Sequence, residues 1–402
     1  MSSPIEQVTA QCTRAFHTGS LLLRGSPSAA GWILGWLSAE FAPQVVTGHA
    51  LSVVPSPLEK IGSALAVQRA DSVLDGALQE TFGKNYTAAV RHPLDEYTAR
   101  RPNLAGVVAA MRHRRHYAAK TRNISYGPGG RSNLLDIWRR PDLPEGYRAP
   151  VLIHVPGGAW SVNDKLGQGY PLMTRMSELG WICVSVNYSR SPRAAFPAHA
   201  VDVKRAIAWV RANIAEYGGD PDFIAITGGS AGGHLASLAA LTAGDPTLQP
   251  GFEHADTSVQ AAVPYYGVYD LTNIENMHPL MMPLLEHVVV QRRQADDPDL
   301  YRDASPIHRI HRNAPPFFVL HGENDAVIPS SQARAFTDEL RKSGPRTVSY
   351  AELPNAHHAF DHIATLRCQL AAEAVASFLG IVYGRHIAAG KSGRRVAVSS
   401  AS

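Results

Sequence analysis

The sequence is short of cysteine and of charge, and each shortage excludes a class of protein. Its 402 residues include only three cysteines, which are far apart and never in a C-x-x-C spacing: Cys12, Cys183 and Cys368. That number and spacing favour neither a disulfide framework nor a zinc site, and they fit a reducing compartment. Charged residues make up 18% and apolar residues 45%, a balance typical of globular proteins that excludes disordered, collagenous and coiled-coil chains.

The chain also lacks the apolar runs that mark membrane and secreted proteins. Its first residues contain no basic segment followed by an apolar one, so no secretory signal is expected. The uncharged stretch Phe41 to Leu58 contains Pro43, Pro55 and Pro57, and proline is poorly suited to a membrane-spanning helix. We therefore expect no transmembrane helix and a cytoplasmic location, with peripheral association with a membrane or envelope left open.

The net charge of +4 is uneven along the chain. Residues 100–122 carry seven Arg and Lys side chains and no acidic one, and residues 385–402 carry four more. Because the whole chain is only +4, the rest of it has a net charge of −7. The basic segment 112–116, together with Trp32 and Trp36, suggests either a membrane-surface contact or a solvated connector. Nucleic-acid binding is not expected, because no nucleic-acid-reading motif accompanies the charge.

Three segments of the chain differ in composition and periodicity. Residues 1–118 contain helical patterns, predicted over 5–23, 29–42 and 58–82, which indicate an N-terminal helical extension. Residues 119–384 alternate apolar strands with helices, which predicts an α/β fold with a mostly parallel sheet covered by helices on both faces. Residues 385–402 are rich in Gly, Ser, Ala and basic residues and are predicted to form a disordered tail.

One segment of the α/β domain has the pattern G-x-S-x-G. Gly228-Gly229-Ser230-Ala231-Gly232 follows the predicted strand 223–227 and precedes the predicted helix 233–241. A strand, a sharp turn and a helix in that order are the setting of a nucleophile elbow, in which flanking glycines let the backbone turn. Ser230 is therefore the candidate nucleophile, although a Gly-rich loop of purely structural use would share the motif.

A serine needs a base and an acid to become nucleophilic at neutral pH, and candidates for both follow downstream. Asp325 comes just after the predicted strand 316–320, and His358 follows the strand 347–350 on a loop before the next helix. The order Ser230, Asp325, His358 is the order of an α/β-hydrolase triad. Glu323 is an alternative acid because it lies closer to the strand end. His357 is an alternative base, since spacing cannot separate adjacent loop histidines.

The segment after the buried strand 151–155 offers donors for a tetrahedral oxyanion. Gly157 and Gly158 can turn their N–H groups inward without obstruction by a side chain, and Ala231 directly follows the nucleophile. We predict that these three N–H groups form an oxyanion hole. A Gly-Gly turn without that role is the alternative interpretation.

Five motifs together carry a family resemblance. They are Pro156-Gly-Gly-Ala-Trp160, Asn187-Tyr188-Ser-Arg-Ser-Pro192, Gly228-Gly-Ser-Ala-Gly-Gly-His234, His321-Gly-Glu-Asn-Asp325 and His358-Ala-Phe360. Residues 120–383 resemble the α/β-hydrolase esterases and lipases related to hormone-sensitive lipase, especially bacterial Lip-type carboxylesterases with a long N-terminal extension. The resemblance implies that fold and a carboxylesterase reaction. Pro156 and Ala159 replace the first and last residues of the family's His-Gly-Gly-Gly loop, so substrate preference is less transferable.

Residues near these motifs are predicted to form the substrate pocket: Trp160, Tyr188, Met281 and Met282. Residues 277–285 contain three of the chain's seven methionines. Because methionine adapts to varied apolar shapes, we hypothesise an acyl-binding cap there. An ordinary core helix explains the same methionines equally well.

Together these features predict a serine hydrolase that forms an acyl-enzyme with short- to medium-chain carboxylic esters. We expect no metal and no cofactor, and a small-molecule or lipid ester as the substrate. The same triad and Pro-Gly-Gly-Ala-Trp loop would also serve an arylformamide or other amide hydrolase. A non-catalytic ligand-binding protein on the same scaffold is a further alternative, but it would be expected to lack a triad member, and all three are present.

Overall fold

The computed structural model describes residues 57–94, 116–118 and 121–399, apart from residues 145, 163, 345–346 and 363–364. The predicted helices over 5–23 and 29–42, with Trp32 and Trp36, lie outside these residues, as does most of the basic segment 100–122. The membrane-contact and connector hypotheses depend on those residues, so both stay predictions.

A sheet of eight strands forms the centre of the described chain. Its strands are β1 (Ile124–Ser125), β2 (Leu134–Trp138), β3 (Ala149–Val155), β4 (Ile182–Val186), β5 (Gly219–Gly229), β6 (Ala261–Tyr265), β7 (Phe317–Gly322) and β8 (Val348–Leu353). Their order across the sheet is β1-β2-β4-β3-β5-β6-β7-β8. β2 pairs antiparallel with β1 and β4, and the remaining neighbours pair parallel. The mostly parallel sheet predicted from the sequence is confirmed.

Helices cover both faces of this sheet. One face carries α1 (Pro57–Phe82), α2 (Tyr170–Glu178) and α8 (Leu366–Ser399), and the other carries α3 (Ala198–Asn213), α4 (Ala231–Leu241) and α7 (Ser330–Ser343). Between β6 and β7 the chain forms α5 (Met281–Leu284), a π-helical turn (Leu285–Val289) and α6 (Pro298–Asp303). Short 3-10 helices span Tyr86–Ala89, Gly130–Asn133, Ile214–Tyr217, Pro246–Leu248 and Pro306–Arg309.

Alternation along the strands divides the core into two layers. In β3, Val151, Ile153 and Val155 are buried with α3 and α4, whereas Leu152 is buried with α2 and α8 on the opposite face. Successive strand residues point to opposite faces, so an unbroken apolar run is what a sheet covered on both sides requires.

The parallel register aligns the carboxyl ends of the central strands. Val155 at the end of β3 pairs with Gly228 in β5, and Gly229 pairs with Tyr265 at the end of β6. Gly322 likewise pairs with Leu353 at the ends of β7 and β8. The loops that follow these strands therefore meet at one edge of the sheet, where ligands bind in α/β proteins.

Helix α1 packs as part of the sheet domain, not as a separate extension. Its Ala70, Leu74 and Leu78 are buried in the same apolar cluster as residues of the sheet. Near its end, the Thr81 hydroxyl accepts a hydrogen bond from the hydroxyl of Ser349 in β8, with an Oγ1–Oγ distance of 2.7 Å. The predicted boundary at residue 118 therefore does not separate two packing units. Helical periodicity shows which face of a helix is apolar but not what covers that face.

The segment from residue 385, predicted as a disordered tail, begins within helix α8. Helix α8 continues to Ser399. The Arg385 guanidinium lies 5.0 Å from the centre of the Phe82 ring, and His386 packs edge-on against Phe223 with ring centroids 5.1 Å apart. Alanine, lysine and arginine in this segment also favour helix continuation. The part of α8 from Leu366 to Ala389 is long and apolar enough to cross a membrane, but it is mostly buried inside the protein, as a core helix is.

Candidate active site

Ser230 lies in the turn between β5 and α4. Its backbone has φ 56° and ψ −122°, outside the usual regions for an L-residue, and its N–H donates to the Tyr265 carbonyl at 3.0 Å. Glycine is required two residues before it and two residues after it. A Cβ at Gly232 would lie 2.0 Å from the Val155 carbonyl oxygen, and one at Gly228 would lie 2.5 Å from the same oxygen. These close approaches explain both flanking glycines of the sequence motif.

The imidazole of His358 connects Ser230 to Asp325. Its Nε2 lies 2.8 Å from Ser230 Oγ, and its Nδ1 lies 2.7 Å from Asp325 Oδ2. The three side chains come from loops after β5, β7 and β8, whose carboxyl ends the sheet aligns. The residues that the sequence singled out as a triad are thus within hydrogen-bonding distance of one another.

The carboxylate of Asp325 is fixed by its own loop. Its Oδ1 accepts hydrogen bonds from the N–H groups of Val327 and Ile328, both at 2.9 Å, and His321 Nε2 lies 3.3 Å from Oδ2. Burial alone would raise the pKa of this carboxyl, but the charge of His358 and the hydrogen bonds from His321 and His358 bring the pKa well below its usual 3.8. Asp325 is therefore a charged acceptor beside the imidazole at neutral pH.

The two alternative residues occupy other positions. The Glu323 carboxylate accepts a hydrogen bond from the Asn355 N–H at 2.9 Å and joins the loops after β7 and β8 at an exposed place. His357 is buried, and the ring nitrogens that reach Ser230 and Asp325 are those of His358. The geometry thus favours Asp325 over Glu323 and His358 over His357.

The oxyanion loop differs from the prediction at Gly157. The Gly157 N–H donates to Gln168 Oε1 at 2.7 Å, so this donor is already used within the protein. Among the described residues, no hydrogen bond takes the N–H of Gly158 or of Ala159. Ala231 is the first residue of α4, where an N–H has no partner inside the helix. The donors that remain for an oxyanion are therefore those of Gly158, Ala159 and Ala231.

Ala159 was not predicted as an oxyanion donor, because alanine rarely adopts the left-handed backbone conformation that such a loop uses. In the structure it has φ 51°, in the left-handed region that usually favours glycine. Its position is that of the third glycine in the His-Gly-Gly-Gly loop of the family that the sequence resembles, which was the available signal.

Trp160 and Tyr188 are buried, and their polar atoms are bonded within the protein. Trp160 Nε1 donates to His234 Nδ1 at 3.1 Å, and the Tyr188 hydroxyl donates to the Pro156 carbonyl at 2.9 Å. Both side chains thus support the segments that carry Ser230 and the oxyanion loop. Their predicted place in the substrate pocket stays a prediction.

Tyr266 also contacts the site, although sequence reasoning did not select it. Its ring lies against the His358 imidazole with centroids 4.7 Å apart, and its hydroxyl donates to Asp361. Burial, followed by the charge of Asp361, raises the pKa of Tyr266 well above its usual 10.0. Tyr266 therefore stays neutral and packs against the His358 imidazole. Its place directly after β6, at the carboxyl edge of the sheet, was the signal in the sequence.

The methionine segment lies close to the Asp325 loop. The His278 N–H donates to the Val327 carbonyl at 3.0 Å, and Met281 is buried in the same apolar cluster as Trp160. Met282 is partly buried against that cluster. In the part of the chain that the structure describes, no group of three or more His, Cys, Asp or Glu side chains could hold a metal ion.

Comparison with known proteins identifies the family. The family model described as BD-FAE matches residues 135–340. Esterase LipQ of Mycobacterium tuberculosis (strain ATCC 25618 / H37Rv) is 62% identical over 388 residues, which cover 96% of this chain and 92% of LipQ. The chain belongs to the Lip-type esterase family.

Further relatives of this Lip-type esterase agree with that assignment. The probable carboxylic ester hydrolase LipM of the same organism is 52% identical over 348 residues, covering 85% of this chain and 80% of LipM. The solved esterase Est2 of Thermogutta terrifontis is 25% identical, with a TM-score of 0.51, and the match covers 60% of this chain and 83% of Est2. The protein is an α/β-hydrolase that hydrolyses carboxylic esters, and its substrates are small-molecule esters.

Proposed function

We propose that Ser230 is the nucleophile, His358 the general base and then acid, and Asp325 the residue that orients the imidazole. The observation that carries this proposal is the position of the His358 ring, 2.8 Å from Ser230 Oγ and 2.7 Å from Asp325 Oδ2. With Nδ1–H donated to the aspartate, Nε2 is left to accept the serine proton, and the charged aspartate stabilises the resulting imidazolium.

The reaction proceeds in two halves through an acyl-enzyme. Ser230 Oγ attacks the ester carbonyl carbon while its proton passes to His358 Nε2, and the N–H groups of Gly158, Ala159 and Ala231 stabilise the oxyanion that forms. The C–O bond of the leaving alcohol then breaks, and the alcohol takes the proton from His358. Water then attacks the acyl carbon while its proton passes to His358. The bond from the acyl carbon to Ser230 Oγ breaks, His358 returns the proton to Ser230 Oγ, and the carboxylic acid is released.

The proposed substrates are esters with short to medium acyl chains, bound beneath a cap that includes Met281 and Met282. The cap is supported by the hydrogen bond between His278 and Val327, which places the methionine segment beside the Asp325 loop. A short acyl group is supported by the solved relative Est2, 25% identical with a TM-score of 0.50, for which a propionate-bound form is known. Peripheral membrane contact through residues 1–118 stays a prediction.

Covalent labelling with a fluorophosphonate tests the role of Ser230, since such probes react with activated serines. The 25%-identical relative Est2, with a TM-score of 0.53, is phosphonylated by sarin. We expect one adduct on the wild-type protein, found by peptide mass spectrometry on Ser230, and none on Ser230→Ala. Ser237→Ala is the matched control, because Ser237 lies in the same helix and donates to the Gly233 carbonyl at 2.8 Å.

Labelling that persists in Ser230→Ala would overturn the assignment of the nucleophile, and so would a wild-type protein that hydrolyses p-nitrophenyl butyrate without being labelled. Turnover of an aryl formamide, measured in parallel with the ester, separates ester from amide preference. We expect the ester to be the better substrate.

A further inference from the structure

One peptide group of the oxyanion loop is held on both sides by buried side chains. The Pro156 carbonyl accepts a hydrogen bond from the Tyr188 hydroxyl at 2.9 Å. The N–H of the next residue, Gly157, belongs to the same planar peptide group and donates to Gln168 Oε1 at 2.7 Å. Both polar atoms of this peptide are therefore bonded to side chains, at a place where Tyr188 is 4% and Gln168 is 6% exposed.

This peptide lies directly against the nucleophile. A Cβ at Gly157 would lie 2.5 Å from the Gly229 carbonyl oxygen and 3.3 Å from Ser230 Cβ. The next two peptides along the chain carry the N–H groups of Gly158 and Ala159. Consecutive peptide planes share one Cα atom, so rotation of the first plane would turn the following donors away from the site.

Glycine makes such rotation easy, because a residue without Cβ restricts its φ and ψ angles little. The loop therefore depends on external contacts to keep one orientation. Tyr188 and Gln168 supply them from two directions, since Tyr188 follows β4 and Gln168 precedes α2. Burial raises the pKa of Tyr188 above its usual 10.0, so its hydroxyl keeps the proton that it donates.

The segments that carry these two side chains are themselves anchored. The residue before Tyr188, Asn187, accepts a hydrogen bond from the Lys165 N–H at 2.8 Å, which ties the end of β4 to the loop that carries Gln168. The Lys165 ammonium is buried and lies 3.1 Å from Asp136 Oδ1 in β2. The contacts that hold the Pro156–Gly157 peptide, which we call the clamp, are thus connected to the sheet, the rigid part of the domain.

We propose that Tyr188 and Gln168 are positioning residues that hold the Pro156–Gly157 peptide in the one orientation that presents the Gly158 and Ala159 N–H groups to the oxyanion. The inference rests on the proposed function, in which those N–H groups stabilise the tetrahedral intermediate. Neither side chain touches the substrate in this role. Their loss should weaken binding of the transition state and leave binding of the ground state nearly unchanged.

Gln168→Met tests the inference, because methionine has a similar length but no strong acceptor for the Gly157 N–H. We expect kcat for p-nitrophenyl butyrate to fall by about tenfold to one hundredfold, with KM changed less than about threefold. Inhibition by a trifluoromethyl ketone, which forms a tetrahedral adduct, should weaken in step with kcat. Inhibition by butyrate should not change. The pH at which kcat/KM is half-maximal should also stay constant, because the triad is intact.

Tyr188→Phe and the double variant extend the test. Tyr188→Phe removes only the donor to the Pro156 carbonyl, and we expect the same pattern of lower kcat and constant KM. Because both residues fix one peptide, the double variant should lose less activity than the product of the two single losses. Independent, fully multiplicative losses would overturn the proposal of a shared clamp.

Gln260→Met is the matched control. Gln260 Oε1 accepts a hydrogen bond from the backbone N–H of Ile224 at the same distance of 2.7 Å. Ile224 lies in the middle of β5, away from Ser230. Gln260→Met should lower stability without changing kcat. If the wild type is labelled on Ser230 and Gln168→Met has an unchanged kcat, the proposed clamp is overturned and the proposed function is not. Absence of that label in the wild type would overturn the proposed function instead.

Discussion

Met281 and Met282 begin helix α5, on the segment whose His278 N–H donates to the Val327 carbonyl beside Asp325. Met281 is buried and Met282 only partly buried, so the two side chains lie at the edge of the apolar core. Flexible thioether side chains fit acyl groups of different shape without changing the groups that carry out the chemistry.

Replacement of both methionines by alanine should therefore change chain-length preference more than turnover of the shortest ester. We expect the ratio of kcat/KM for p-nitrophenyl octanoate to that for the acetate to change by about tenfold, since a few lost methylene contacts are worth about 1–3 kcal/mol. Met176→Ala, in the core of the opposite face, is the control and should leave the ratio unchanged. An unaltered ratio in the double variant would refute the cap.

At this scale the sequence predicts strand-end residues better than it predicts backbone donors. Ser230, Asp325 and His358 each follow a strand that is apolar enough to recognise, and parallel strands bring their carboxyl ends together. The use of the Gly157 N–H depends on Gln168, which lies 11 residues later and meets it only after the loop folds back. The spacing of residues along the chain does not show that this loop folds back onto Gly157. Gly157 was therefore predicted as an oxyanion donor, and Ala159 was not.

At the scale of elements, the loop between β3 and α2 is fixed by a buried ion pair. Lys165 Nζ lies 3.1 Å from Asp136 Oδ1 in β2, and both side chains are almost inaccessible to solvent. The ammonium also donates to Asn123 Oδ1 at 2.7 Å, and the carboxylate also accepts the Asn123 N–H at 2.9 Å. Removing Lys165 would take away the cation that lies 3.1 Å from this buried carboxylate.

Lys165→Met should therefore lower the free energy of unfolding by about 3 kcal/mol, measured by urea denaturation. Combining it with Asp136→Leu should recover part of that loss, because the buried carboxylate is then removed together with the cation beside it. Asp222→Asn, which removes an exposed partner 3.0 Å from Arg148, serves as the control and should change stability little. A double variant that loses the full sum of both single effects would contradict this explanation.

The positions of the helices and strands were predictable from the sequence, but the elements against which each of them packs were not. Apolar runs at the positions of β3 to β8 and the period of α1 indicated the elements to within a few residues. The docking of α1 on β8 and α8 depends on the three-dimensional course of the chain, and no local pattern encodes it. Residues 385 and 386 were assigned to a tail for the same reason, since the ring contacts that hold them involve Phe82 and Phe223.

At the scale of the whole molecule, buried histidines link folding to pH, and His154, His199 and His234 are among them. Burial lowers the pKa values of His154, His199 and His234 from 6.5 to about 3, about 4 and about 4, respectively. Between about pH 6.5 and pH 4 the unfolded chain binds protons on these imidazoles and the folded chain does not. The free energy of unfolding should therefore fall as the pH falls through that window.

His234→Gln tests this linkage, because glutamine can accept from Trp160 and donate to the Ala304 carbonyl in place of the two ring nitrogens. Each histidine contributes up to about 1.4 kcal/mol per pH unit to the slope. In urea denaturation at several values from about pH 7 to pH 5, the variant should lose stability less steeply with acid than the wild type. Parallel slopes would show that His234 takes up no proton on unfolding.

The packing of α1 determines where this enzyme can be shortened. Ala70, Leu74, Ala77 and Leu78 are almost completely buried, and together they cover apolar side chains of the sheet face and of α8. Residue 118 is where the helical pattern of the sequence gives way to alternating strands and helices. Cutting the chain there would uncover that surface and expose an apolar patch that could associate with other copies of the protein. A fragment made for crystallisation or for membrane-binding assays should therefore keep the whole of Pro57–Phe82, even when the residues before that helix are the ones to be removed.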